Sequence, residues 1–173
     1  RAVNTLRRNA DGSWHGDMFD GLAFVKAMRE QGCDPMAKRA LLVGAGGAGS
    51  AIAHALVTAG VSELAIHDED NTRRSSLITR LNSLNLCPVS DGSADPSGFQ
   101  IVINATPVGM KETDPFPVNP KPIHKDMFVG CVITAPAVTP LIAAARAKGC
   151  VTVTGAEMFA RVRDLMVDFL QGH

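Results

Sequence analysis

Along the chain, short unbroken apolar runs alternate with apolar residues at helical spacing. Residues 39–46, RALLVGAG, read as a buried strand running into glycine, and residues 62–68, SELAIHD, as a second strand. A third strand is expected at 99–106, FQIVINAT, a fourth at 125–133, KDMFVGCVI, and a last short one at 150–155, CVTVTG. Helices are expected between them. SAIAHALVTAG, at 50–60, is stopped by Gly60, and residues 72–83 carry Leu77, Ile78 and Leu81 on one face. TPLIAAARAKG, at 139–149, opens with the threonine–proline pair that suits an N-cap and first turn. Nearer the start, Phe19, Leu22, Phe24, Val25 and Met28 form a helical stripe from Met18 onward, ended by Gly32 and Pro35. The last helix places Met158, Phe159, Val162, Leu165, Met166 and Phe169 on one face. Residues 1–8 alternate weakly, as a short strand does, and the Asp-Gly of NADGS marks a turn after them. Strands without a period of two, alternating with helices, predict an α/β fold: a Rossmann-like doubly wound parallel sheet covered on both faces.

Composition narrows the function classes. The 173 residues suit one ordinary domain with part of a second, and 46% hydrophobic content supplies a packed core. Seventeen basic residues balance seventeen acidic ones, so no field attracts nucleic acid or an anionic membrane. The longest apolar stretches fall well short of a membrane span. Cys33, Cys87, Cys131 and Cys150 form no CxxC pair and have no histidine at zinc-ligand spacing, so no metal site is expected and the thiols are expected to be reduced. The proline-rich PFPVNPKP, at 115–122, is short enough to be a surface loop.

Candidate chemistry begins at GAGGAG, residues 44–49, which fits GxGxxG between an expected strand and an expected helix. Gly44 would make the tight turn, Gly46 would let backbone amides approach a pyrophosphate, and Gly49 would let helix and strand pack closely. The following helix would turn the positive end of its dipole toward the phosphates. Asp68 lies about twenty residues on, where a carboxylate can accept from ribose hydroxyls. A 2′-phosphate there would meet Asp68, Glu69 and Asp70, offset only by Arg73 and Arg74, so NAD is favoured over NADP. The acidic stretch WHGDMFDG, at 14–21, is open to two readings: either Asp17 or Asp20 caps the helix that follows, or Asp20 does chemistry. Read alone, Asn4 is a turn residue, Met158 and Val162 are core, and His15 is surface.

Taken in order, AVNT (2–5), GDMFDG (16–21), GAGGAG (44–49), INATPVGM (103–110), TPL (139–141) and GAEMF (155–159) resemble the shikimate and quinate/shikimate dehydrogenases. The chain looks like the C-terminal two-thirds of that family. The resemblance implies hydride transfer between a nicotinamide cofactor and a shikimate- or quinate-type cyclic hydroxy acid. It implies that Asn4 hydrogen-bonds substrate hydroxyls, and that Asp20 pairs with a catalytic lysine carried by an N-terminal domain outside this chain. Gly44, Ala45, Gly46, Gly47 and Ala48 match the pyrophosphate loop. Asp68 stands where the NADP-using enzymes have an asparagine. Thr106, Val108, Val132, Gly155 and Met158 match positions beside the cofactor, the last two in a loop at the nicotinamide.

The same comparison of motifs exposes departures. Met18 and Phe19 replace an Asn-Thr pair, Cys131 and Thr134 replace an aspartate and a tyrosine, and Val162 replaces a glutamine. The substrate is therefore expected to be altered, with a catalytically silent NAD-binding or sensing relative as the alternative. The implied organisation has residues 1–20 as part of the substrate domain and 21–32 as a hinge helix. Residues 33–155 would form the NAD(P)-binding domain and 156–173 a helix returning to the substrate domain. A cytoplasmic location is expected. The expected partners are a small-molecule substrate and, as an alternative to a monomer, a second copy in a homodimer.

Overall fold

The computed structural model describes residues 3–171; the ends of the expected first strand and last helix, at 1, 2, 172 and 173, lie outside the described residues. The chain opens with β1 (Thr5–Arg8) and β2 (Trp14–Asp17), an antiparallel hairpin pairing Leu6 with Gly16 and Arg8 with Trp14. The Asp-Gly turn joins them as expected, but β2 itself falls in a stretch read from sequence only as an acidic turn. Helix α1 (Asp20–Glu30) follows, starting two residues later than its apolar stripe suggests.

The remaining elements run β3 (Arg39–Val43), α2 (Gly47–Thr58), β4 (Glu63–His67), α3 (Asn71–Asn82), β5 (Val89–Asp91), β6 (Ile101–Asn104), β7 (Phe128–Cys131), α4 (Pro140–Ala147), β8 (Val151–Val153) and α5 (Gly155–Gln171). Six strands make one parallel sheet in the order β5-β4-β3-β6-β7-β8. The order reverses between β3 and β6, which opens a crevice at their carboxyl ends.

Each face of the sheet is buried by what its side chains meet. On one face Leu42, Leu64, Ile66, Ile101 and Ile103 pack under α1, α2, α3 and α5. Phe24 of α1 is fully buried, and a side chain at Gly130 of β7 would come within 2.3 Å of its ring, so glycine there is what seats the helix. A side chain at Gly21 would meet the Ala51 carbonyl oxygen at 2.2 Å, so α1 and α2 touch through their backbones. On the other face Leu41, Val43, Val102 and Val129 pack under α4 and the long β6–β7 connection, where Val118, Ile123 and Met127 are buried.

Helix α5 is held at both ends. Thr154 and Glu157 form a capping box at its start: the Thr154 amide and hydroxyl donate to Glu157 Oε2 at 2.7 and 2.8 Å. At its far end the hairpin docks on Phe169, whose carbonyl accepts from Arg7 Nη1 at 2.7 Å and whose ring meets the edges of His15 and Phe19.

Candidate functional site

At the crevice, the glycine loop is shaped by what surrounds each residue. Gly44 has φ of 105°, a conformation side chains rarely adopt, and a Cβ there would meet the Ala105 carbonyl at 2.7 Å. A Cβ on Gly49 would meet the Gly44 carbonyl oxygen at 2.0 Å, so the start of α2 lies directly on the turn. Gly46 differs: a Cβ there would meet no atom of the described residues within 4 Å. Gly46 is also the N-cap of α2, and among the described residues no side chain caps the first amides of the helix. An open approach in front of uncapped N–H groups at a helix N-terminus fits an anionic pyrophosphate.

Asp68 sits just past the end of β4, as its spacing implies, and its carboxylate turns to the glycine loop. It is 8% exposed, its Oδ2 accepts from the Ala45 amide at 2.6 Å, and its Oδ1 accepts from the Asp70 amide at 2.9 Å. The carboxylate therefore clamps the glycine loop. The next carboxylate with room is Asp70, the N-cap of α3, which accepts from the Arg73 amide at 3.0 Å and remains exposed. Its pKa is lowered, first by that backbone hydrogen bond, so it carries charge at neutral pH. Removing the Asp68 carboxylate leaves the Ala45 amide without its acceptor. Asp68→Ala is expected to cost about 1–3 kcal/mol of stability and to weaken dinucleotide binding, read by thermal melting with and without NAD.

At the end of β6, Asn104 is 1% exposed and organises the other wall. Its Oδ1 accepts from the Thr106 amide and hydroxyl at 3.0 and 2.7 Å, and its Nδ2 donates to the Val108 carbonyl at 3.0 Å. The backbone around Thr106 and Val108 is thereby held at the crevice edge, with the Thr106 hydroxyl turned inward. Sequence reading gave Asn104 no role; a buried asparagine at a strand end, two residues before a threonine, is the signal that was present.

Asn4 and Asp20 come together across sixteen residues. Asn4 Nδ2 donates to Asp20 Oδ1 at 3.1 Å, while the Asn4 amide bonds the Asp17 carbonyl at 3.0 Å. The pair sits where the hairpin turns into α1. Burial pushes the Asp20 carboxyl up from its ordinary value, and the bond from Asn4 pulls the other way. Neither aspartate caps α1: the N-cap is Phe19, without a side-chain cap bond, and Asp17 Oδ1 accepts from the Met18 amide at 2.8 Å.

The expectation that Met18 and Phe19 both line the substrate region also changes. Phe19 is 6% exposed and belongs to the core, edge-on to Phe169. Met18 is half-buried and reaches Gly47 of the glycine loop. Val162 and Met158 are core residues. Gly155 is the first residue of α5, not part of a loop, and its backbone packs against the Ile133 carbonyl. Val132 lies half-buried just past β7, its amide bonded to the Asn104 carbonyl.

Sheet order, glycine loop and helix dipole together define a Rossmann-type dinucleotide-binding fold. A sequence profile described as the ThiF family matches residues 22–81, the stretch from α1 to α3. The chain is 38% identical, over 159 residues, to the shikimate dehydrogenase (NADP(+)) of Rubrobacter xylanophilus, covering 89% of this chain and 56% of that protein. It superposes on the quinate dehydrogenase of Corynebacterium glutamicum, solved with NAD, with a TM-score of 0.88 and 32% identity, over 99% of this chain and 63% of that one. A 5-ketofructose reductase from Gluconobacter gives 0.89 and 29%, over 99% and 64%. These likenesses support assignment of the chain to the shikimate/quinate dehydrogenase family, and it spans about three-fifths of the length of the relatives it matches.

Proposed function

We propose that the protein containing this chain is an NAD-linked dehydrogenase of a polyhydroxylated, shikimate- or quinate-type cyclic acid, with substrate contacts altered from those of the family. The observation that carries the reading is the Asn4–Asp20 pair, a half-buried carboxyl held by an amide in the same fold as an open pyrophosphate cradle. Gly46, Gly47 and Ala48 would hold the pyrophosphate through their amides, and Asp70 would take the adenosine ribose. A bound nicotinamide supplies the hydride acceptor. Asn4 would orient a substrate hydroxyl, and Asp20 would hold the proton released as that hydroxyl becomes a carbonyl, together with a lysine from the rest of the protein. In this reading the β1–β2 hairpin and the far end of α5 belong to the substrate lobe, with α1 as the connection.

The choice of NAD rests on the arginines. Arg73 faces Asp70 at 3.3 Å and Asp68 at 3.7 Å; Arg74 donates to Asp91 Oδ1 at 2.7 Å and to the Asp68 carbonyl at 2.8 Å. Both guanidiniums that could receive a 2′-phosphate are already engaged by acceptors, and that phosphate would also face Asp70. The expected ratio of kcat/KM for NAD over NADP is about tenfold or more, roughly 1.4 kcal/mol of discrimination. Asp70→Ser, which leaves Arg73 only its longer contact with Asp68 and removes a facing charge, is expected to narrow it. An NADP preference in the unaltered protein overturns the cofactor assignment.

The altered substrate rests on the buried Val162 and Phe19, which offer no polar group where the family has them. The match to a 5-ketofructose reductase supports a wider range of polyhydroxy substrates on this fold. The test is NAD reduction by the full-length protein across shikimate, quinate and related cyclic and acyclic polyols. The same burial of Val162 favours the second reading, an NAD-binding protein without turnover. Tight NAD binding with no reduction by any of these compounds would select it.

A further inference from the structure

A trough of about 880 Å³ runs along α1, α2 and α3, its upper end lined by Val3, Gly16, Asp17, Met18 and Gly21 beside the Asn4–Asp20 pair. Its origin is readable in side-chain size. Along the trough α2 carries the small residues Ser50, Ala51, Ala55 and Thr58, with Ala59 just past its end and His54 its one large side chain, so it lies low between α1 and α3. Leu22 of α1 and Leu84 just past α3 stand at the rims, 57% and 40% exposed, and Leu77 and Leu81 close the far wall.

The charges along this apolar floor are unequal. Lys26 on one bank and Arg80 on the other line the trough, and among the described residues neither side chain has a hydrogen-bond or ion-pair partner. His54 lies between them on α2, and Arg29 is held only by Asp34 at 3.5 Å. The two acids on the trough are occupied: Glu30 pairs with Arg161 of α5, and Asp17, at the upper end, accepts from the Met18 amide. An apolar floor of this volume between two unanswered cations matches a small amphipathic anion, its hydrocarbon on the leucines and alanines and its charge between Lys26 and Arg80.

We propose that this trough is a binding site for a single-chain or aromatic amphipathic carboxylate or sulfonate, distinct from the dinucleotide crevice. The two sites meet only at the upper end, where Met18 and Gly47 line the trough and Gly47 also opens α2 at the glycine loop. The proposal does not depend on the reading of the substrate.

The probes are decanoate and the fluorescent anion 1-anilinonaphthalene-8-sulfonate, added to the full-length protein. Saturable sulfonate fluorescence that decanoate displaces and saturating NAD does not is the expected result. The Lys26→Glu, Arg80→Glu double variant is expected to bind about tenfold more weakly or worse with its melting temperature retained, since both side chains are exposed and unpaired. Ala51→Leu, which fills the floor, is expected to weaken binding of both probes. Displacement by NAD would place the anion in the nucleotide crevice and overturn the proposal. So would binding unaffected by charge reversal, absence of saturable binding, or co-sedimentation with anionic phospholipid vesicles without any binding of free decanoate.

Discussion

Asp20→Asn in the full-length protein lowers kcat by about 10²–10⁴-fold, the range general acid–base groups contribute, while the Kd for NAD stays within a small factor. The substitution keeps the oxygen that accepts from Asn4 and removes the group that takes the proton. It has a second, opposite consequence. Burial raises the Asp20 pKa in the folded protein, so ionising it works against folding. A carboxyl raised in this way contributes stability that is fully present below its unfolded value, near 3.8, and lost as pH rises through the folded value. In this chain by itself, without the lysine that the rest of the protein would bring beside Asp20, the Asn variant therefore melts higher than the parent at neutral pH, and the difference closes as pH falls toward 3.8. Loss of turnover with gain of stability separates a carboxyl kept for chemistry from one kept for structure. A variant that loses both would mark Asp20 as structural.

Gly49→Ala is the second large effect. Its methyl would stand 2.0 Å from the Gly44 carbonyl oxygen and 2.8 Å from the carbonyl carbon, both backbone atoms that no rotamer change can move. Overpacking a core usually costs about 1–3 kcal/mol, and a backbone clash at the junction of β3 and α2 belongs at or above the upper end. The expected result is a large fall in melting temperature with nucleotide binding abolished. Gly46→Ala is the contrast, since its methyl enters open space. That variant is expected to melt like the parent and yet bind NAD more weakly, because the methyl occupies the approach to the amides. Equal NAD affinity in Gly46→Ala and the parent would remove the pyrophosphate from this loop.

The large sheet was legible because its strands are buried on both faces. The runs Leu41-Leu42-Val43, Ile101-Val102-Ile103 and Phe128-Val129 leave no polar alternation and no helical stripe. Strand β5 escaped because it has three residues, of which only Val89 is buried. Strand β2 escaped for a related reason: its large apolar residue, Trp14, is 67% exposed, so the pattern carries no inward face. The start of α1 was misplaced because Met18 and Phe19 fit its stripe, while their contacts are with Gly47 and Phe169 instead.

The site divides along the same line. Spacing located GAGGAG and Asp68, but spacing cannot tell which way a carboxylate points. Asp68 turns back to the Ala45 amide because that donor is buried and needs an acceptor. The meeting of Asn4 and Asp20 is a long-range contact made by a hairpin whose second strand had no sequence signal. Only the family motifs suggested that both belong to one site. The trough had no signature either, since the small residues along α2 read as an ordinary alanine-rich helix until α1 and α3 stand on either side of them.

Hydride transfer to the nicotinamide of a dinucleotide whose pyrophosphate lies at the glycine loop is the central proposal. It is tested most directly with full-length protein, NAD and the most reactive cyclic hydroxy acid of the substrate panel, deuterated at its carbinol carbon. Mass spectrometry of the reduced cofactor should show one deuterium per molecule, with the label lost in proportion to turnover in Asp20→Asn. Deuterium released to solvent, or no reduced cofactor with any compound of the panel, would contradict it.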